Sequence, residues 1–118
     1  MEENEEYRLS FFVNATHQVR IDGKISSKHP HTFEITCYIR AKKLVAFEAM
    51  EENVNQALNQ LKDQYLNALP VFKGKNPTLE NIGRTLFKVV EANLNGLECN
   101  LTKLIISESP VRSFIIGE

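Results

Sequence analysis

The chain holds three histidines, and two of them stand two residues apart in "SSKHPHTFEI", residues 26 to 35. Extended backbone points side chains i and i+2 the same way, so His29 and His31 can present both imidazoles to one metal ion. Pro30 between them stiffens the chain and lacks the N–H that a central ladder needs. His17 closes the preceding run, "YRLSFFVNATH", and a loop folding back can bring it alongside the pair. Three neutral imidazoles with a fourth position open to water or substrate are the donor set of a catalytic zinc centre. An H-x-H pair with a distant third histidine is nevertheless weak as a pattern on its own.

Strands must carry such a set, and the flanking residues supply them. Tyr7 to His17 is aromatic and β-branched, as a strand prefers, and "QVRIDGKISSK" then breaks the pattern and reads as a loop. "HTFEITCYIR" alternates, with Phe33, Ile35, Cys37 and Ile39 on one face and Thr32, Glu34, Thr36, Tyr38 and Arg40 on the other, which is a half-buried strand. Phe47, Met50, Val54, Leu58 and Leu61 recur at the spacing of an amphipathic helix, and Pro70 and Gly74 open the loop after it. Thr78 is placed to cap a second helix whose apolar face is Ile82, Leu86, Val89, Val90 and Leu94, stopped at Asn95-Gly96. "LTKLIISES" and "VRSFIIGE" are two short strand-like runs around Ser109-Pro110. The order is ββααββ, and an α+β domain with an antiparallel sheet covered by two helices is the economical architecture.

Composition narrows the partners. The 118 residues suit one domain, 1–118, with the acidic opening residues 1–6 expected as a disordered tail. A net charge of −1 offers no electrostatic reason to expect nucleic acid or an anionic membrane. "MEENEEYRLS" lacks the basic-then-apolar pattern of a signal peptide, and no apolar run approaches the roughly 20 residues of a membrane helix, so a cytoplasmic protein is expected. Cys37 and Cys99 stand alone, which suggests neither a thiolate zinc knuckle nor a redox pair; both read as small buried hydrophobes.

The segments "FFVNATHQV", "KHPHTFEI", "LVAFEAM", "DQYLN", "NPTLENIGRTLF" and "LIISES" come in the order and approximate spacing of the 6-pyruvoyltetrahydropterin synthase and 6-carboxytetrahydropterin synthase family, which the chain resembles from about Leu9 to Ile116. The resemblance implies that His17, His29 and His31 bind zinc, since the family uses a histidine ending its first strand and an H-G-H opening its second. It implies the tunnelling fold: a four-stranded antiparallel sheet with two helices on one face, assembled as trimers whose sheets close into a barrel, often stacked into hexamers. It also implies that Glu108 in "IISESP" anchors the pterin through its amino group and ring N–H, a paired donor edge that suits two carboxylate oxygens. A solvated strand-end glutamate is the plain alternative for an isolated "SES". Thr78 and Glu80, in the family's "PT-x-E" segment, are secondary candidates for framing the pocket, although a helix cap explains Thr78 locally.

The departures from the family pattern fall on proton transfer. The cysteine four residues before the H-G-H is here Ile25, which cannot carry a proton. The aspartate-histidine pair of "L-D-H-x-x-L" aligns with Lys62 and Asp63, the H-G-H has become H-P-H, and the usual aspartate before Phe47 is Ala46. Two readings follow. In one, zinc polarises an oxygen of a pterin side chain and Asp63, Lys62 or a zinc-bound water takes over proton transfer, with the standard activity altered or lost. In the other, the chain holds a pterin or related heterocycle without turning it over. Zinc as a mere structural clamp fits less well, because three ligands leave a position open.

Overall fold

The computed structural model describes residues 1–117. Its sheet has strands β1 (Tyr7–His17), β4 (His29–Ala41), β5 (Cys99–Ser109) and β6 (Arg112–Gly117) in the order β1-β4-β5-β6. All neighbours are antiparallel. Helices α1 (Phe47–Leu58) and α2 (Leu79–Leu94) follow β4, as the periodicities predict. Period-two alternation decides which face is buried: Leu9, Phe11, Val13 and Ala15 of β1 and Phe33, Ile35, Cys37 and Ile39 of β4 meet the helices' Met50, Val54, Ile82, Leu86 and Val90 in one core. Both cysteines are buried there, and burial pushes the Cys37 thiol up to about 12.

The stretch expected as a loop contains a small hairpin, β2 (Arg20–Ile21) with β3 (Lys24–Ile25). Asp22 and Gly23 both take positive φ, at 52° and 77°, which is the two-residue turn that an Asp-Gly pair favours. The first helix ends at Leu58 rather than Leu61. The chain beyond it is pulled out of helix by the edge of β1: the Asp63 N–H donates to the Asn14 carbonyl at 2.6 Å and Thr16 N–H donates to the Gln64 carbonyl at 2.9 Å. Leu61 stays buried in the turn that results.

Two irregularities in β5 correct its inward face. Between Tyr38 and Ile39 the register slips by one residue, so that Leu101 and Leu104, three apart, both reach the core. A second slip falls between Ser107 and Ser109, which pair with Ser113 and Arg112, and leaves Glu108 without an opposite residue on β6. Gly83 lets α2 lie close over β5 and β6, since a Cβ there would sit 2.9 Å from Ile116 Cδ1 and 3.0 Å from Ile106 Cγ2.

Ala46, just before helix α1, has cap geometry but no side-chain acceptor for the free amides of the first turn. Ala46→Asp is therefore expected to raise stability by about 1 kcal/mol, read as a higher urea midpoint at unchanged slope. An unchanged midpoint would show that water already serves those amides as well.

Candidate metal centre

The β1–β4 register sets His17 directly opposite His29, and His31 opposite Ala15. All three imidazoles share the parity of the core face, at the end of the sheet where the core gives out. Their ring centroids form a near-regular triangle with sides of 4.9, 5.0 and 4.5 Å. One nitrogen from each lies within 4.8 Å of the others. Phe33, next inward on β4, stands edge-on behind His17 at 5.6 Å and near His31 at 5.7 Å.

Backbone carbonyls select the tautomers. His17 Nδ1 lies 2.8 Å from the Pro77 carbonyl, and His29 Nδ1 lies 2.8 Å from the Ser27 carbonyl. A carbonyl only accepts, so each Nδ1 carries the proton and each neutral ring keeps its Nε2 lone pair free, the usual way a protein presents imidazole to a metal. Nε2 of His17 and of His31 is buried without a hydrogen-bond partner. A buried polar atom left so costs about 1–3 kcal/mol, which a coordinated cation removes. The His31 pKa is lowered, chiefly by burial and further by His17 and His29, against the opposing pull of Glu108, and the neutral ring is the form that ligates. The donor set thus fits a borderline ion such as zinc.

Glu108 stands beside two of the histidines, its Oε2 3.8 Å from His17 Nε2 and 3.7 Å from His31 Nε2. On the sheet's outer side the same residue lines a cavity of about 200 Å³ with Phe12, Thr32, Glu34, Ser107 and Pro110. A larger cavity, about 440 Å³, lies beyond His17 against Gln18, Arg20, Ile25, Asn67 and Asn76.

A family model described as 6-pyruvoyl tetrahydropterin synthase matches residues 6–118. The chain belongs to this family. Among solved structures, the Caenorhabditis elegans 6-pyruvoyl tetrahydropterin synthase superposes with a TM-score of 0.80 at 14% identity, covering 97% of this chain and 95% of that one. The Plasmodium vivax synthase gives 0.74 at 15%, and the Plasmodium falciparum synthase 0.72 at 16%, each covering 98% of this chain and 99% of its own. A comparison with curated protein sequences gives no match. At such identities the superpositions speak for the fold, which is the tunnelling fold of the 6-pyruvoyl tetrahydropterin synthase family.

Other candidate residues of this family member stand apart from the histidines. Thr78 caps α2, its Oγ1 accepting the Asn81 N–H at 3.2 Å. Its link to the site runs through Pro77 beside it. Glu80 is exposed in the first turn of α2, and Lys62 and Asp63 are exposed at the outer edge of β1, where Asp63 has φ 58°. Ile25 is 59% exposed at the end of β3. The carbonyls of Pro77 and Ser27 escape sequence reasoning, because every residue has one and only the fold says which is aimed at a histidine. Asn67 and Asn76 escape it too: their amides bond both N–H and C=O of Gln18 and of Arg20, replacing a strand partner and fixing the chain just past His17.

Thr78→Ala tests whether the cap or the carbonyl matters to the site. The variant is expected to lose about 1 kcal/mol of stability and to keep full metal content, since the acceptor for His17 is backbone. Metal loss on purification would instead make the cap a positioning element of the centre.

Proposed function

We propose that this chain is a zinc-dependent, pterin-binding member of the 6-pyruvoyl tetrahydropterin synthase family in which the standard synthase activity is altered or lost. The observation that carries the reading is the convergence of three imidazoles, with the Nδ1 protons of His17 and His29 held by carbonyls and the Nε2 atoms of His17 and His31 buried and bare. Zinc held there supplies Lewis acidity to an oxygen of a pterin side chain. His17 and His29 orient through the Pro77 and Ser27 carbonyls, Phe33 shields the inner side, and Glu108 is the acceptor for the pterin's amino group and ring N–H. Thr78 and Glu80 frame the pocket in the second rank, and Asp63 and Lys62 are the groups left to replace the family's proton-transfer pair.

A second reading, a zinc and pterin binding protein without turnover, is favoured by one feature. Ile25 occupies the family's proton-transfer position, and its neighbour Ser26 has its hydroxyl engaged, accepting from Val19 N–H and donating to the Ser27 carbonyl. Neither can act as a base.

Assembly completes the proposal as a homotrimer or a hexamer of two trimers. Beyond the segment held by Gln64, the β1 edge and the outer edge of β6 have no strand partner among the described residues, and Phe12 and Ile115 are 70% and 56% exposed on the outer face. Closing three sheets into a barrel removes such edges. No helix among the described residues is long and apolar enough to cross a membrane; a cytoplasmic location goes with the proposal.

The test is metal analysis and light scattering on purified protein, followed by calorimetric titration with a pterin. One zinc per chain, a mass at a multiple of three chains and a saturable pterin isotherm are expected. Protein without stoichiometric metal, or a stable monomer at micromolar concentration, contradicts the corresponding part.

A further inference from the structure

We propose that Glu108 is itself a ligand of the metal held by His17, His29 and His31, closing its fourth position until a pterin draws the carboxylate away; this rests on reading the cluster as a zinc centre. The separations from Glu108 Oε2 to two imidazole nitrogens, 3.7 and 3.8 Å, are too long for N–H···O hydrogen bonds, which fall at about 2.7–3.2 Å. They are close to what donors on one tetrahedral ion show: bonds of about 2.0–2.1 Å put neighbouring ligands about 3.4 Å apart. The two nitrogens that Glu108 faces are the same two that are buried without a partner. A single cation between them and the carboxylate satisfies all three atoms.

The backbone aims the residue there. Glu108 lies two and four residues beyond Ile106 and Leu104, both in the core, so the alternation of β5 points it to the same face as the histidines, and the slip between Ser107 and Ser109 leaves it without an opposite residue on β6.

The same carboxylate cannot anchor a pterin from this position. A two-ring heterocycle has to lie between the metal and its anchor, and a gap of 3.7 Å to His31 admits no ring. The side chain is one third exposed and lines the cavity of about 200 Å³ on the outer side of the sheet, so a rotation has somewhere to take it. On exchange the Glu108 oxygen leaves with its electron pair, still ionised, and the metal's fourth position opens only when a pterin is there to receive the carboxylate. Zinc without a pterin is then shielded from water.

Cobalt(II) in place of zinc reports on this directly, because its visible absorption depends on coordination number and on what fills the fourth position. With one equivalent of Co²⁺, the wild type is expected to give a four-coordinate spectrum that azide does not alter, whereas Glu108→Ala responds to azide and binds Co²⁺ about 10–100-fold more weakly. Glu108→Gln, which keeps size and loses charge, is expected to respond to azide as well, and this guards against a folding defect in the alanine variant. Saturating the wild type with a pterin is expected to shift the bands. Equal azide response and equal affinity in wild type and Glu108→Ala would remove Glu108 from the metal while leaving the histidine centre intact; bands unmoved by a bound pterin would overturn the exchange; failure of the wild type to bind Co²⁺ would overturn the zinc reading beneath both.

Discussion

His17→Ala is expected to abolish stoichiometric zinc binding and to destabilise the protein at the same time. Two of three imidazoles cannot hold the ion in competition with water at anything like the same strength, and losing even an outer partner of a metal ligand commonly costs about 10–100-fold in affinity. The stability cost has a separate origin. His17 is only 2% exposed and packs edge-on against Phe33, so the shortened side chain leaves a void and strips the Pro77 carbonyl of its donor. An unsatisfied buried carbonyl alone costs about 1–3 kcal/mol. His29→Ala separates the two effects, because His29 is only half-buried and its Nδ1 partner, the Ser27 carbonyl, can turn to water. It is expected to lose zinc with little loss of metal-free stability. Zinc content after gel filtration and urea unfolding of the metal-free forms measure both quantities. One zinc per chain retained in both variants would show that the ion, if bound, sits elsewhere.

Turnover of dihydroneopterin triphosphate is expected to be very weak or absent although a pterin binds. Proton transfer by a placed side chain contributes about 10²–10⁴-fold to a rate, and the chain has Ile25 at one family position and Lys62 and Asp63 in place of the aspartate-histidine pair at the other. The structure adds that Asp63 is exposed, with its backbone spent on the edge of β1 and, among the described residues, no side-chain hydrogen bond or ion pair to the histidines or Glu108. A calorimetric pterin titration beside a turnover assay, on wild type and Glu108→Ala, distinguishes the outcomes. Binding lost in Glu108→Ala with negligible turnover in the wild type is the expected pair. Turnover comparable with family synthases would establish a replacement base, with Asp63 the first residue to substitute; binding indifferent to Glu108→Ala would end the pterin assignment for that carboxylate.

The sequence by itself determined the parts of this protein that depend on local periodicity and on residue chemistry. The alternation from Thr32 to Arg40 told which face of β4 is buried, the stripes Met50–Val54 and Ile82–Leu86–Val90 told which faces of the helices meet it, and Thr78 marked the start of α2. The three histidines were legible as donors because imidazole is uncommon here and a strand carries i and i+2 to one side. Periodicity is silent about pairing, however, and only the tertiary structure decided what pairing controls. The register that sets His17 opposite His29 turned a distant residue into a neighbour. The pairing of β5 with β4 brought Glu108, on the face of Leu104 and Ile106, to the same end of the sheet and up to two bare nitrogens. The end of α1 moved from Leu61 to Leu58 because a strand edge nearly fifty residues upstream in the chain competed for its amides. The acceptors that fix the imidazole tautomers, the carbonyls of Pro77 and Ser27, have no residue type to betray them: a backbone oxygen is the same along the whole chain, and its role comes from where the fold puts it.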